Sequence, residues 1–503
     1  MLSMHDCTAL ALALVCAACL FAAGLRAGSL PWFGEVWHMR RIKGFAAMRL
    51  PQLLAPAQHG VVRVRVLGKP LVVVADPLAM DGMTRGSERR NFSLEAFRHE
   101  RHFDERIQGC SAAGARPEVV VAVAALYSQG MGGNNGASIC DSLYELTTER
   151  FASHPPPQGR SDLRDWIART SFIIANTAIF GRNFPATAAY DDFLAFDEHF
   201  FALSRGRRAP AGTAARERLV RLMNRYLDEH LVSATALVRD LHEKLASEKY
   251  AVSRDDIARH LMMLLWAGAS NLGFATLWQT IFVVNDAESL RRVRAETCPT
   301  SSRPSFVFDS QDMSSCPNIV TIADETLRYQ ASSMSWRMCL KDTLLPCADG
   351  SVFHVRKGEM VCGIPYSWHH SAALWTQPHA FAPFDNFPAG RPRGDSYSSV
   401  SRSRGNSYSS MSRSRGDSLS SESGALLDGK AALQRFHPWG GGATICPGRR
   451  VAITHMRVFL ATFFATFDVV DADAVPPGNW ATKTGPGIVV PAREWCATLT
   501  KRA

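Results

Sequence analysis

Between Phe436 and Arg450 the chain sets an aromatic residue, three consecutive glycines, a cysteine, a proline and two arginines directly ahead of a segment of helical period. The stretch reads Phe436-His-Pro-Trp439-Gly-Gly-Gly442-Ala-Thr444-Ile-Cys446-Pro447-Gly448-Arg449-Arg450, and residues 451–467 continue it at helical spacing. Consecutive glycines reach backbone conformations closed to other residues, so their N–H groups can turn toward a single atom. If Cys446 binds a metal as thiolate, such N–H groups stabilise the charge on sulfur and tune its potential. The following helix adds its N-terminal dipole, with Pro447 suited to the first turn. Gly442 belongs to the turning run, Gly448 lets a flat cofactor approach the backbone closely, and Trp439 shields the sulfur from water. A glycine-rich turn around a buried cysteine explains the loop, but not the joint spacing of Trp439, Gly442 and Gly448 about Cys446.

The remaining sequence supports a large helical body. With 503 residues, 46% of them hydrophobic and 20% charged, the chain can bury a core, and whole-chain disorder is excluded. Residues 61–67 and 71–75 are two β-rich runs split by Gly68-Lys69-Pro70, the first alternating Val with Arg63 and Arg65, which predicts a half-exposed hairpin. Residues 163–290 are mostly of helical period, with Pro185 and Pro210 as breakers. Within them, residues 261–284 are interrupted only by Ser270, Asn271 and Gln279, which predicts one long buried core helix. The class is therefore mainly α, α+β, with a minor sheet. Twelve cysteines without a repeating paired spacing predict reduced thiols. The formal charge of +10 is spread along the chain, which argues against nucleic-acid binding and suits an anionic membrane surface or an acidic redox partner.

Two segments stand apart from this body. Residues 7–25 carry no charge, with Asp6 before them and Arg26, Arg40, Arg41 and Lys43 after; as a helix they rise about 28 Å, enough to cross a bilayer. The basic flank predicts that residues 1–26 anchor the chain and that residues 27–503 face the cytosol, with a cleaved signal peptide as the rival reading. Residues 391–423 hold three serine-rich copies beginning at Arg393, Arg404 and Arg415, a period of eleven. So little of this can be buried that a disordered insertion is expected. Two copies contain Arg-Gly-Asp, which raises a secreted adhesion protein as a remote alternative.

The spacing around Cys446 resembles the haem-binding loop of the cytochrome P450 family, most closely its fungal members and the prostacyclin synthase and cholesterol 7α-hydroxylase branch. Two further motifs are similar. Glu325 and Arg328 share one helical face at i and i+3, 118 residues before Cys446, like the family's buried Glu-x-x-Arg element. Ala267-Gly268-Ala269-Ser270-Asn271 resembles its oxygen-binding groove, with Ser270 and Asn271 where an acid and an alcohol usually stand. The resemblance implies the cytochrome P450 fold, with Cys446 as axial ligand of a haem b iron and Arg337 as a propionate contact. Three departures accompany it. Thr444 takes a position that is usually basic and faces a propionate, which leaves more of that task to Arg337. Asn386 takes the position of the Arg that usually completes the Glu325–Arg328 network, which implies a weaker network. No Trp and Arg pair for the other propionate is found early in the chain; Trp166 and Arg169 lie too late.

The activity the resemblance implies is monooxygenation of a hydrophobic small molecule, fed by NADPH through a separate reductase, with Ser270 and Asn271 in the catalytic groove. The fungal likeness suggests secondary metabolism, and the anchor suggests the endoplasmic reticulum membrane. A peroxide isomerase needing no reductase is the alternative within the family, and a non-catalytic haem-binding protein is the alternative outside catalysis.

Overall fold

The structure, a computed structural model, describes residues 60–66, 69–297, 316–388, 436–479 and 487–502. The anchor expected at 1–26 and the repeat at 391–423 lie outside the described residues.

The expected hairpin forms between Val61–Val66 and Lys69–Val74, antiparallel, with Val61 opposite Val74. It opens a five-stranded sheet in which Lys69–Val74 runs parallel to Met360–Gly363, followed by Ser335–Cys339 and Phe92–Ser93. Alternation along the strands sorts side chains onto two faces. Val61, Val72, Val74 and Val361 pack on one side with Met80, Trp368 and Trp375, whereas Val62, Leu71, Val73 and Cys362 pack on the other. Arg337 pairs with Val361 in this register, so it shares the face that looks toward the Pro77–Thr84 helix. That helix is started by Asp76, whose Oδ1 accepts from the N–H groups of Leu78 and Ala79.

The larger body is helical. Gly133–Ser153, Arg164–Phe180, Leu272–Asn285, Pro317–Gln330 and Arg449–Thr466 share one core, into which the last contributes Val451, Met456, Phe459 and Phe463. Phe151 meets Phe459 edge to face at 5.2 Å and stacks on Trp166 at 5.7 Å. Helices begin at the two expected breakers, Ala186–Ser204 directly after Pro185 and Pro210–His230 at Pro210 itself. Among the described residues, one apolar stretch, Arg254–Asn285, is long enough to cross a membrane, yet 78% of its apolar window is buried, as a core helix would be. The expected single helix is in fact two. Arg254–Ala269 ends and Leu272–Asn285 begins across Ser270 and Asn271, where the Asn271 Oδ1 accepts from the Ile488 N–H outside both helices. All the described cysteines are free thiols.

His455 sits in the helical core, 1% exposed, with neither ring nitrogen hydrogen-bonded among the described residues. Burial pushes its pKa from 6.5 down to about 3, so the folded protein holds it neutral. Neutral burial contributes stability above pH 6.5 that is lost progressively as pH falls toward 3, because the unfolded chain takes up the proton first. At pH 5 this residue alone is expected to cost ~2 kcal/mol relative to pH 7 or above. Urea titrations of His455→Leu protein should show that much less acid sensitivity than the parent; equal sensitivity would mean that the residue is partnered.

Candidate active site around Cys446

Gly440 and Gly442 carry the Cys446 loop through φ values of +73° and +69°, which L side chains rarely adopt. Gly442 also passes so close to the Thr84 carbonyl that no Cβ would fit there. The loop closes through the Cys446 N–H, which donates to the Trp439 carbonyl at 3.0 Å. The final helix starts at Arg449 with Gly448 as N-cap, so Pro447 lies ahead of the first turn and not in it. A Cβ on Gly448 would lie 3.2 Å from Met131 Sδ.

Burial pushes the Cys446 thiol up, while the Gly448 N–H, the Arg449 guanidinium and the Arg449 N–H pull it back. The loop thus opposes desolvation with donors that favour a thiolate, as a metal-bound sulfur requires.

Arg337 reaches this loop from the sheet. Its Nη1 donates to the Trp336 carbonyl at 2.6 Å, and Nη2 donates to Thr444 Oγ1. The guanidinium is 5% exposed, and burial pulls its pKa down to about 10 despite the Glu95 charge. Among the described residues no carboxylate pairs with it. Trp439 Nε1 is likewise buried with no acceptor among them. A buried guanidinium and a buried indole N–H beside one thiol are an unfinished polar set, and an anionic group carried by a flat apolar cofactor would complete it. The residues present therefore fit a haem. Thr444, whose departure from the family pattern leaves more of the propionate task to Arg337, lies in direct contact with it.

The loop is tied to a buried charge network. Arg328 and Glu325, both 0% exposed, pair through Nε–Oε2 at 2.7 Å and Nη2–Oε1 at 2.8 Å. Arg328 also donates to the carbonyls of His369 (2.6 Å), Pro378 (2.9 Å) and Ala380 (2.8 Å). Asn386 closes the network: its Nδ2 donates to Glu325 Oε1 at 2.9 Å, and its Oδ1 accepts from the Gln377 N–H at 2.9 Å. The expected weakening is offset, because main-chain groups take the remaining capacity of both partners, the Ala382 N–H reaching Glu325 Oε1 among them. His369 then links network to loop, its Nε2 accepting from the His437 N–H at 3.0 Å. His437 lies within reach of Asp81 and Arg85, with 3.3 Å from its Nε2 to Asp81 Oδ1. Sequence reasoning passed over His369 and His437 because each acts through one ring edge or main-chain atom and leaves no spacing pattern.

Ser270 and Asn271 fall at the helix break. Ser270 is buried; Asn271 is half-buried, and its Oδ1 accepts from the Ile488 N–H at 3.1 Å. Trp166 packs with Phe151, Phe463 and Phe467, and Arg169 pairs with Asp165 and Asp191, so neither joins the Cys446 loop.

A mainly helical body with a small sheet, a cysteine loop opening the last helix and a buried Glu-x-x-Arg network together define a haem-thiolate protein, and the chain belongs to the cytochrome P450 family. The family profile matches residues 28–399 and 427–494. Among curated relatives, the chain is 26% identical to the 5-beta-cholestane-3-alpha,7-alpha-diol 12-alpha-hydroxylase of Sus scrofa over 53% of this chain and 49% of that protein. It is 26% identical to the prostacyclin synthase of Homo sapiens over 52% of this chain and 50% of that one. Cytochrome P450 7A1 of Rattus norvegicus is 23% identical over 71% of this chain and 72% of its own length. The first two matches thus span about half the length of those relatives. Among solved structures, the heme domain of cytochrome P450DA shares the fold with a TM-score of 0.66 at 15% identity, covering 94% of this chain and 96% of that one.

Proposed function

We propose that the protein is a monooxygenase that inserts one atom of dioxygen into a hydrophobic small molecule, with Cys446 as the axial thiolate of a haem b. The observation that carries this reading is the Cys446 loop, where donors aimed at one sulfur stand beside the unfinished polar pair of Arg337 and Trp439. A bound haem would supply the capacity to activate dioxygen and cleave its O–O bond, favoured by the electron-rich thiolate.

The chain's own residues supply the rest. Gly440, Gly441 and Gly442 shape the loop that presents the thiolate, and the Gly448 and Arg449 N–H groups hold its charge. Arg337 and Trp439 would hold the propionates of a bound haem, with the Thr444 hydroxyl fixed beside Arg337. Ser270 and Asn271 open the helix where water can stand and pass protons. NADPH acts through a separate reductase, residues 1–26 anchor the chain in the endoplasmic reticulum membrane with residues 27–503 in the cytosol, and the product belongs to secondary metabolism. The family profile supports that division, since it starts at 28 and skips 400–426, which overlaps most of the serine-rich repeat.

A second reading rests on Asn271. An amide replaces the usual proton-delivering alcohol, and a relative is a prostacyclin synthase, so an isomerase taking a substrate that already contains an O–O bond is the alternative.

Membranes bearing the full chain, offered sterols, terpenoids and polyketides with isotope-labelled dioxygen, should yield singly oxygenated, labelled product only with NADPH and reductase. Conversion of a fatty-acid endoperoxide without NADPH would assign the isomerase reading and remove the first. Deletion of residues 391–423 should leave turnover unchanged, and deletion of residues 1–26 should release the protein from membranes; failure of either arm removes that part of the reading.

A further inference from the structure

The turn that leads into the Cys446 loop is fastened at His437 by main chain and ring alike. The His437 N–H donates to His369 Nε2 at 3.0 Å, and its carbonyl accepts from the Gly440 N–H at 3.3 Å, closing a turn through Pro438 and Trp439. The ring is 1% exposed and meets the Trp368 ring edge to face at 6.0 Å. Arg85 Nη2 stands 3.3 Å from its Nδ1, and Asp81 Oδ1 stands 3.3 Å from its Nε2. Asp81, Thr84 and Arg85 lie at i, i+3 and i+4, so one face of the Pro77–Thr84 helix carries all three. The glycines of the loop rest on the same face: a Cβ on Gly441 would meet the Thr84 Cβ at 2.9 Å.

These partners fix the protons of both imidazoles. A guanidinium only donates, so His437 Nδ1 accepts and its proton sits on Nε2, facing the carboxylate. His369 accepts at Nε2, so its own proton sits on Nδ1, and burial holds that ring neutral. His437 Nε2 and Asp81 Oδ1 are close but not aligned as a hydrogen bond, so the carboxylate charge attracts the ring N–H across 3.3 Å. A neutral ring thus bridges a cation and an anion that are themselves 3.9 Å apart, with its donor toward the anion and its acceptor toward the cation.

We infer that His437 is a positioning residue for the thiolate, transmitting the place of the Asp81–Arg85 pair to the Cys446 loop. The path runs from the ring through the Pro438–Trp439 turn to the Trp439 carbonyl, the acceptor of the Cys446 N–H. When the ring is released, the turn can rotate, the Trp439 carbonyl leaves the Cys446 N–H, and the sulfur is more easily protonated. This inference rests on the proposed function only in taking Cys446 as the iron ligand.

The test uses the full-length protein and two readouts. One is the red-shifted ferrous-carbonyl band, followed in dilute urea as thiolate ligation is lost. The other is hydrogen exchange at the residue 446 amide, measured with and without haem. His437→Phe keeps the bulk and both main-chain bonds but removes the ring contacts. It should speed loss of the band and exchange at residue 446 roughly threefold to tenfold each, the yield of one net hydrogen bond. Arg85→Gln and Asp81→Asn should each bring part of that change in the parent and none on the His437→Phe background, because the ring is their route to the loop. His437→Asn sets an amide oxygen where Nδ1 stood and should recover part of the loss through Arg85. Parental rates in His437→Phe, or full addition of Arg85→Gln to it, would overturn the inference. If the Phe protein does not fold, Arg85→Gln and Asp81→Asn carry the test, and parental rates in both overturn it. Exchange needs no ligated iron. Faster exchange in variants of a protein that never shows the red-shifted band therefore leaves this inference standing and removes Cys446 as the ligand, while an intact band with unchanged exchange does the reverse.

Discussion

Cys446→Ser protein is expected to lose the red-shifted Soret band that a thiolate gives ferrous-carbonyl haem, and to lose turnover by at least about a thousandfold, ~4 kcal/mol of barrier. The substitution is nearly isosteric, so the loop itself should survive: the bond from the residue 446 N–H to the Trp439 carbonyl and the φ values at Gly440 and Gly442 do not involve sulfur. What disappears is a polarisable anion on which the Gly448 and Arg449 N–H groups converge. A serine hydroxyl in the same place is far harder to ionise and donates far less electron density to iron. Spectra of purified protein with and without carbon monoxide decide the matter. Retention of the red-shifted band in Cys446→Ser would require another thiolate, and the assignment would fail.

The legibility of this site in the sequence divides along physical lines. The Cys446 loop could be read because glycine and cysteine at fixed offsets leave few alternative uses, and Gly442 at positive φ against the Thr84 carbonyl is such a use. Helix starts at Pro185 and Pro210 could be read because proline has few places to stand. The break at Ser270 and Asn271 could not, since period and hydropathy describe an uninterrupted helix, and the partner Asn271 meets there, the Ile488 N–H, stands 217 residues away. Asn386 shows the same limit in the other direction. By residue type it is a poor substitute for a guanidinium, but the main-chain carbonyls and N–H groups of residues 369–382 carry most of the bonds, and no motif encodes these.

Glu325→Ala is expected to destabilise the folded protein by about 3–5 kcal/mol, a large share of the whole stability of a typical domain. Both members of the pair are fully buried, and the carboxylate takes two charge-assisted bonds from Arg328 as well as the Asn386 amide and the Ala382 N–H. Removing it leaves a desolvated guanidinium with only carbonyl partners, takes the carboxylate from the Ala382 N–H, and leaves the Asn386 amide with the Gln377 carbonyl at 3.1 Å. The damage should not stay local. Arg328 holds the His369 carbonyl, and His369 holds the His437 N–H two residues before Trp439, so slackening at Glu325 reaches the Cys446 loop. Asn386→Ala removes one bond to the Glu325 carboxylate and those to the Gln377 main chain but leaves the ion pair itself intact, and should cost less, ~1.5–3 kcal/mol. Urea midpoints for the two proteins, read together with haem content per chain, test the argument: the Glu325→Ala protein should unfold much earlier and purify largely without haem, and the Asn386→Ala protein should keep most of both. A Glu325→Ala protein within ~1 kcal/mol of the parent would mean that the buried pair is dispensable and that the Cys446 loop is held by other contacts.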